Sequence, residues 1–420
     1  IISLYTKGQF QQALSHSIEM LEQFPNSALL HNIAGACNAG LKQYDAAIDR
    51  YRKAININPD YAEAYKNMGI VLRDKGELEA AIVSFQQALQ IKPDYAEAHC
   101  NMGIALRDKG NPDAAINSYN QALRIKPDYY EAYYNMGNVL RSDKGNSEAA
   151  IDSYKLALKI NPGCVRTLIG LGKTFKLLGQ TVESIKCFED AIILDPEDTL
   201  GANLQLASLG QKGIPLKTPT NYMNAFYKEK SKLFHSSVPD NYHGHLLIKN
   251  AIRATCNYQE KAKILDLGCG NGILSSFLSS YAETLDGIDL SPDMIRGAHK
   301  TGLYDSLYEK EIELYLANIS SHYDVIIAAA VMIHFFDLED IFLLIRNSLK
   351  PGGKFIFSVF EGSNADLQLN DFLMYSHSDR YITNLADRID FKVNYRNQAI
   401  HEYHREKPVT ALIYMLQKAE

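Results

Sequence analysis

The sequence predicts a chain of two unlike parts. Residues 1–209 read as an all-α superhelix of repeats, residues 210–220 as a linker, and residues 221–420 as an α/β domain built on a parallel sheet. Three observations carry this. Prolines recur on a fixed beat through the first half; two glycines and two prolines break that beat within Gly210–Pro219; and beyond about residue 242 apolar runs of strand length alternate with helical stretches. At about 100–200 residues per domain, 420 residues leave room for two or three cores.

The prolines of the beat are Pro25, Pro59, Pro93, Pro127, Pro162 and Pro196, in steps of 34, 34, 34, 35 and 34 residues. The long step comes from one extra residue in Arg141–Gly145, RSDKG, where the two preceding copies read RDKG. Gly35, Gly69, Gly103, Gly137 and Gly172 keep the same time, as do Tyr51, Phe85, Tyr119, Tyr154 and Phe188. Each unit reads as two short helices. In Ala62–Tyr95 the first ends at Gly76, a residue suited to a helix C-terminus, and the second is blocked by Pro93. Such a hairpin cannot bury its apolar face alone, whereas stacked copies can.

These units resemble a tetratricopeptide (TPR) array over about residues 8–209. The resemblance gives a truncated first repeat at 8–27, full repeats at 28–61, 62–95, 96–129, 130–164 and 165–198, and a cap helix at Thr199–Leu209. It implies a protein or peptide partner on the concave face. The text NMGxxLRDKG, with one extra residue in the third copy (NMGxxLRSDKG), is similar to the repeats of O-linked N-acetylglucosamine transferases, in which an asparagine ladder grips an extended peptide. Asn67, Asn101 and Asn135 hold that position here. An amide both donates and accepts, so it can hold a main chain whatever its side chains.

In the second half the expected strands are Lys263–Leu267, Thr284–Asp289, Ser306–Glu311, Asp324–Ala329, Lys354–Phe360, Phe391–Asn394 and Val409–Gln417. Expected helices are Ile273–Tyr281, Pro292–Lys300 and Asp337–Leu349. The chemistry centres on Ile264–Gly272, ILDLGCGNG, between the first strand and a helix. Gly268, Gly270 and Gly272 permit a tight turn and close approach to a ligand. The spacing is G-x-G-x-G, not the G-x-G-x-x-G of dinucleotide sites. Asp266 beside the turn would repel a pyrophosphate and favour a cation, such as the amino group of S-adenosylmethionine. Asp289, ending the next strand in GIDLSPDM, suits a pair of ribose hydroxyls. Met294 either packs on adenine or faces the core.

With Leu349–Phe360, LKPGGKFIFSVF, these residues resemble class I S-adenosylmethionine-dependent methyltransferases of Rossmann-like fold, over roughly residues 221–418. GLYDSLYEKEIELYL, YDVIIAAAVMIHFFDLEDIF and YSHSDRYITNLA are similar to a predicted methyltransferase family that often carries TPR repeats. The resemblance implies S-adenosyl-L-methionine as cofactor. It places Asp266, Gly268, Gly270 and Gly272 at the methionine part, Asp289 at the ribose, Glu311 and Ile312 at the adenine edge, and Ala329 at the end of the fourth strand. One position departs: the family reads A-A-D-V where this chain has Ala328–Val331, AAAV, so Ala330 replaces an acid.

His334, shortly after the fourth strand, is the candidate catalytic base, against a structural, hydrogen-bonded role. Tyr375, His377 and Tyr381 are candidate walls of an acceptor pocket, and Tyr227 and Phe234 a candidate lid. The acceptor itself, protein or small molecule, is open. Two other classes stay in view: a repeat scaffold whose second domain binds cofactor with little or no turnover, and a nicotinamide-dependent oxidoreductase.

Composition sets the remaining expectations. A net charge of −6 argues against a nucleic-acid partner. No apolar run approaches the ~18 residues of a bilayer span. The six cysteines form no CxxC pair, and His401 and His404 lack companions at ligand spacing, so reduced thiols, a cytoplasmic location and no metal are expected. The chain starts at Ile1 with half a repeat, so its N-terminus reads as a cut or incomplete product.

Overall fold

In the computed structural model, which describes residues 1–143, 145–233, 242–257, 259–362, 365–370, 372–404 and 407–420, the beat becomes a run of helix pairs. A short α1 (Ile2–Thr6) precedes α2 (Phe10–Gln23), the second helix of the truncated repeat. The full repeats follow as α3 (Ala28–Gly40) with α4 (Tyr44–Ile57), α5 (Ala62–Lys75) with α6 (Leu78–Ile91), α7 (Ala96–Asp108) with α8 (Pro112–Ile125), α9 (Tyr130–Ser142) with α10 (Ser147–Ile160), and α11 (Val165–Leu177) with α12 (Thr181–Leu194). One contact recurs in every pair. A Cβ added at Gly69 would lie 2.7 Å from the Phe85 ring, and at Gly103 2.6 Å from Tyr119. Gly35 with Tyr51, Gly137 with Tyr154 and Gly172 with Phe188 repeat it. The glycine and aromatic series of the sequence are thus two halves of one lock. Gly76 ends α5 in the left-handed region, with φ of 90°.

The chain divides into two compact units, Ile1–Asp190 and Ala191–Glu420. Helix α13 (Ala202–Ser208), expected as the cap of the array, falls in the second. Asp198 accepts hydrogen bonds from the N–H groups of Ala202 and Asn203 at its start. The Tyr222 ring packs so closely on Gly201 that a Cβ there would sit 2.8 Å away. Tyr222 lies on α14 (Thr220–Leu233), so α13 is tied to the α/β part.

After α15 (Gly244–Thr255) come β1 (Ala262–Leu267), α16 (Ser275–Leu278), β2 (Ala282–Asp289), α17 (Pro292–His299), β3 (Ser306–Glu309), α18 (Ile312–Leu316), β4 (Tyr323–Ala328) and a 3-10 turn at Met332–His334. Then follow α19 (Glu339–Ser348), β5 (Leu349–Glu361), β6 (Leu367–Leu369), β7 (Tyr375–His377), α20 (Asp379–Arg388), β8 (Phe391–His404) and β9 (Lys407–Lys418). The sheet runs β3-β2-β1-β4-β5-β7-β6, with β9 antiparallel to β5 and β8 paired to β9. Successive side chains feed opposite faces. Leu265, Leu267, Ile326, Phe355, Phe357, Leu412 and Tyr414 build one core, while Ile264, Val325, Ile327, Ile356, Ile413 and Met415 build the other.

Three expectations shift. The helix expected over Ile273–Tyr281 shrinks to α16, because Ser279 and Ser280 turn their hydroxyls onto the carbonyls of Ser276 and Phe277 and offer the backbone an alternative to the helix. β8 runs on to His404, with register shifts between Val393 and Tyr395 and between Ile400 and Glu402 that break the alternation a sequence reading depends on. The second half of the expected linker is not a spacer. The Thr218 N–H donates to the His334 carbonyl at 2.8 Å, the Phe336 N–H to the Leu216 carbonyl at 2.8 Å, and Tyr375 Oη to the Pro215 carbonyl at 2.8 Å. This strap pairs its backbone with the loop after β4.

Candidate functional site

β1 pairs in parallel with β2 on one side and β4 on the other, so the strand order reverses direction there and leaves a crevice outside the carboxyl ends. The turn Gly268–Gly272 lines it. Gly268 has φ of 65°, and a Cβ on it would lie 2.4 Å from Val331 Cγ2, so glycine is required twice over. Gly270, at φ of 56°, has nothing within 4 Å of a built Cβ and faces open space. Its N–H donates to Asp289 Oδ2 at 2.9 Å, and the Ser291 N–H donates to Asp289 Oδ1 at 2.8 Å. The carboxylate ending β2 therefore clamps the glycine turn.

Asp266, next to last in β1 and beside this turn, is 1% exposed. Its Oδ2 accepts a 2.8 Å hydrogen bond from Tyr304 Oη. Burial pushes the Asp266 carboxyl up to about 7; the Tyr304 hydrogen bond opposes the shift and the charge of Asp289 adds to it. Burial raises Asp289 too, against the pull of its backbone donors. Tyr304 escaped the sequence reading: its text, GLYDSLY, gives no periodic or spacing signal for a partner 38 residues upstream.

The other expected residues are placed as follows. Gly272 follows in the turn at φ of 84°. Met294 is buried on α17, whose N-terminus Ser291 caps. Ile312 is half-buried against the first sheet core and Ala329 against the second. Glu311 is the residue before α18; one oxygen accepts from Thr220 Oγ1 at 3.2 Å and the other from Lys217 Nζ at 3.1 Å, so its carboxylate holds the strap. Ala330 has φ of 55°, a region that a residue with a Cβ seldom adopts, and its N–H donates to Ser358 Oγ at 3.1 Å.

His334 is 6% exposed. Its Nε2 lies 2.7 Å from Tyr227 Oη and its Nδ1 3.3 Å from Thr218 Oγ1. Both ring nitrogens thus meet protein partners from α14 and the strap. These contacts suit the structural, hydrogen-bonded role that stood beside the base as an expectation. The neighbouring candidates are likewise engaged. His377 is fully buried and its Nε2 donates to the carbonyls of Phe335 and Phe336, at 3.0 and 3.1 Å; burial lowers it to about 4. Tyr381 Oη donates to Asp337 at 2.8 Å and accepts from the Leu338 N–H at 2.7 Å. Tyr375 is fully buried and its Oη donates to the Pro215 carbonyl, so all three candidates make hydrogen bonds within the protein. Phe234 lies outside the described residues.

In the repeats, Asn67 Nδ2 donates to Asn32 Oδ1 at 3.1 Å. Asn101 Nδ2 donates to the Glu97 carbonyl at 2.8 Å, and Asn135 Nδ2 lies 3.9 Å from Cys100 Sγ. Each half-buried amide makes an internal contact and keeps donor or acceptor capacity beyond it.

Comparison with known proteins agrees with both halves. Residues 241–404 match a family model described as a methyltransferase domain. Residues 41–73, 69–110 and 103–142 match one described as a TPR repeat, and 130–164 one described as a tetratricopeptide repeat. The ubiquinone biosynthesis O-methyltransferase of Xanthomonas oryzae is 29% identical over 112 residues, 26% of this chain and 47% of that protein. The mitochondrial enzyme of the same description from Homo sapiens is 32% identical over 98 residues, 22% of this chain and 27% of that one. The chain thus spans about half, or less, of the length of these curated relatives. Among solved structures, MamA is 26% identical with a TM-score of 0.36, covering 39% of this chain and 95% of its own. The 1,6-didemethyltoxoflavin-N1-methyltransferase of Burkholderia thailandensis, with S-adenosylhomocysteine bound, is 16% identical with a TM-score of 0.39, covering 49% and 92%.

Proposed function

The chain carries tetratricopeptide repeats followed by a methyltransferase domain, and from this we propose that it transfers the methyl group of S-adenosyl-L-methionine to an acceptor that the repeats help to recruit. The observation that carries the reading is the clamp at the strand switch: a glycine turn open at Gly270, latched by Asp289, beside the buried carboxyl of Asp266.

The donor set fits this cofactor. Asp289 accepts from the Gly270 and Ser291 N–H groups, with the Leu290 N–H a further backbone donor, which leaves its carboxylate room to accept from a ribose hydroxyl. Two acids at one crevice favour a cationic amine and oppose a pyrophosphate. Gly268, Gly270 and Gly272 give the methionine part its close approach. Met294 and Ile312 supply apolar surface at the adenine side, Glu311 sets the strap beside them, and the backbone near Ala329 meets the cofactor at the end of the fourth strand. The bound cofactor brings a methyl group already activated on a sulfonium, so the protein's part is to hold the acceptor in line and exclude water. His334 serves as a positioning residue, tying Tyr227 and the strap to the loop after β4.

The repeats would take a protein or peptide on the concave face, with Asn67, Asn101 and Asn135 offering their remaining amide groups. Whether the acceptor is that partner or a small molecule is decided by assay. A cytoplasmic location belongs to the same proposal; among the described residues no helix is long and apolar enough to cross a membrane. A second reading rests on Ala330: a strained alanine where the resembled family has an acid points to cofactor binding with little turnover. Proteins captured from a lysate by the full chain, incubated with labelled cofactor, separate the two. Label on a captured protein, or S-adenosylhomocysteine release with added small acceptors, supports transfer. Binding without either supports the second reading.

A further inference from the structure

The repeats allow one site to be compared with its own copies. Just after the proline stand Asp60, Asp94 and Asp128 in the second to fourth copies, Gly163 and Glu197 in the last two, and Asn26 in the first. On the buried face of the second helix stand Ser84, Ser118 and Ser153, but Arg50 in the first full repeat. Three residues further on, Gln87 and Gln121 are replaced by Lys53. Each departure moves the charge in the positive direction. The three residues converge: Asn26, Arg50 and Lys53 line one cavity of about 400 Å³, together with His31 and Asn56. Among the described residues neither Arg50 nor Lys53 has an ion-pair partner; the nearby acid Asp49 pairs with Arg52.

His31 adds a feature that its copy His99 shares, with Nε2 3.1 Å from the Pro93 carbonyl and Nδ1 unpartnered, but which in His31 stands beside the two cations. His31 is 6% exposed, and its Nε2 donates to the Pro25 carbonyl at 3.1 Å. The neutral ring then carries its lone pair on Nδ1, which is buried without a hydrogen-bond partner. Burial holds His31 below its usual range, opposed by its hydrogen bond to the Pro25 carbonyl and helped by the smaller effects of Arg50 and Lys53. The cavity thus offers two cations and one buried acceptor. Carboxylate and sulfate satisfy the cations but set an oxygen lone pair against Nδ1. A phosphate monoester, whose second ionisation lies at a pKa of about 6, is at or below that pH an anion that still carries a proton to donate.

We propose that this cavity between the truncated and first full repeats binds a phosphate monoester group, with Arg50 and Lys53 holding its charged oxygens and His31 Nδ1 accepting the P–OH hydrogen bond. The cavity lies wholly in the first unit, so the proposal is independent of the methyltransferase reading.

The test is calorimetric titration of the full chain near pH 6 with inorganic phosphate and with sulfate. The expected result is phosphate binding at least about fivefold tighter than sulfate. The variant R50S/K53Q, which carries the residues of the next two copies, should keep its melting temperature and lose about tenfold or more in phosphate affinity. H31Y, which borrows the residue found at Tyr65 and Tyr133, should abolish the preference for phosphate over sulfate. A phosphoserine peptide and a sugar phosphate identify the source: whichever gains most over inorganic phosphate is the natural class. Equal phosphate affinity in the native chain and R50S/K53Q, or phosphate and sulfate bound alike by the native chain, would overturn the proposal.

Discussion

Tyr304 Oη donates a 2.8 Å hydrogen bond to Asp266 Oδ2, and the carboxyl so held is almost sealed from solvent at 1% exposure. A tyrosine from the segment before β3 thereby favours the charged form of an acid near the end of β1, against the burial that raises it. This pair sets much of the expected behaviour of the crevice.

Its first consequence is for stability. The Asp266 carboxyl rises from 3.8 to about 7 on folding. Between those values the folded chain keeps a proton that the unfolded chain has lost. The stabilisation is therefore fully present below the lower value and lost as pH rises to the upper one. Above about 7 the fold carries a buried carboxylate at a penalty on the order of several kcal/mol. Asp266→Asn is expected to melt higher than the native chain at pH 8 and much like it at pH 4. A difference that does not grow with pH would contradict the assignment.

The same titration governs binding. A cationic amine selects the carboxylate form of Asp266, so affinity for S-adenosylmethionine should strengthen as pH rises from about 5 through about 7 and weaken again as the ligand's own amine loses its proton, at about pH 8 for an α-amino group. Tyr304→Phe removes the hydrogen bond that favours the charged form. It should move the rise to higher pH and cost about 1–3 kcal/mol of affinity at pH 7. Affinity flat across this range in both proteins would show that Asp266 does not answer to the ligand's charge.

Legibility followed the range of the signal. The lock between Gly69 and Phe85 was readable because five copies repeat it, and the glycine turn because its spacing is local. The parallel sheet was readable because its strands are apolar on both faces. The strap was not. Its chemistry is backbone pairing between residues 216–218 and 334–336, and backbone groups are the same in every sequence. Tyr304 with Asp266 and Thr218 with His334 failed for a related reason: each is a single side-chain pair across 38 or 116 residues, with no period to announce it. The partners of His334 decide between base and anchor, and nothing local to it encodes them.

The repeat lock makes its own prediction. Gly103→Ala puts a methyl group 2.6 Å from the buried Tyr119 ring, so the ring or helix α7 must move. The expected loss is about 1–3 kcal/mol, seen as a lower melting temperature of the repeat unit. Pairing it with Tyr119→Leu should recover part of the loss. No recovery would mean that the ring is not the obstacle.

Ala330 holds φ of 55° without the side chain that usually eases that region. Ala330→Gly is expected to stabilise the second unit by about 1 kcal/mol. Ala330→Asp, restoring the acid of the resembled family, should be tolerated for the same backbone reason and should raise turnover if that acid serves the reaction. A lower melting temperature for Ala330→Gly would contradict the strain argument.

His334 separates anchoring from proton transfer. His334→Gln keeps a hydrogen-bonding side chain between Tyr227 and Thr218. As an anchor it should retain most cofactor affinity and transfer rate, with an unchanged pH profile. A loss of the ionisation on the acidic limb of the rate profile would restore the general-base role.

The central claim is that this crevice binds S-adenosylmethionine through the Asp289 clamp. Calorimetry of the full chain at pH 8, with S-adenosylmethionine and with nicotinamide dinucleotide, tests it most directly. The account predicts binding of the first and none of the second, and a loss of about 1–3 kcal/mol in Asp289→Ala. Tight binding of the dinucleotide with none of S-adenosylmethionine, or an affinity unchanged by Asp289→Ala, would contradict it.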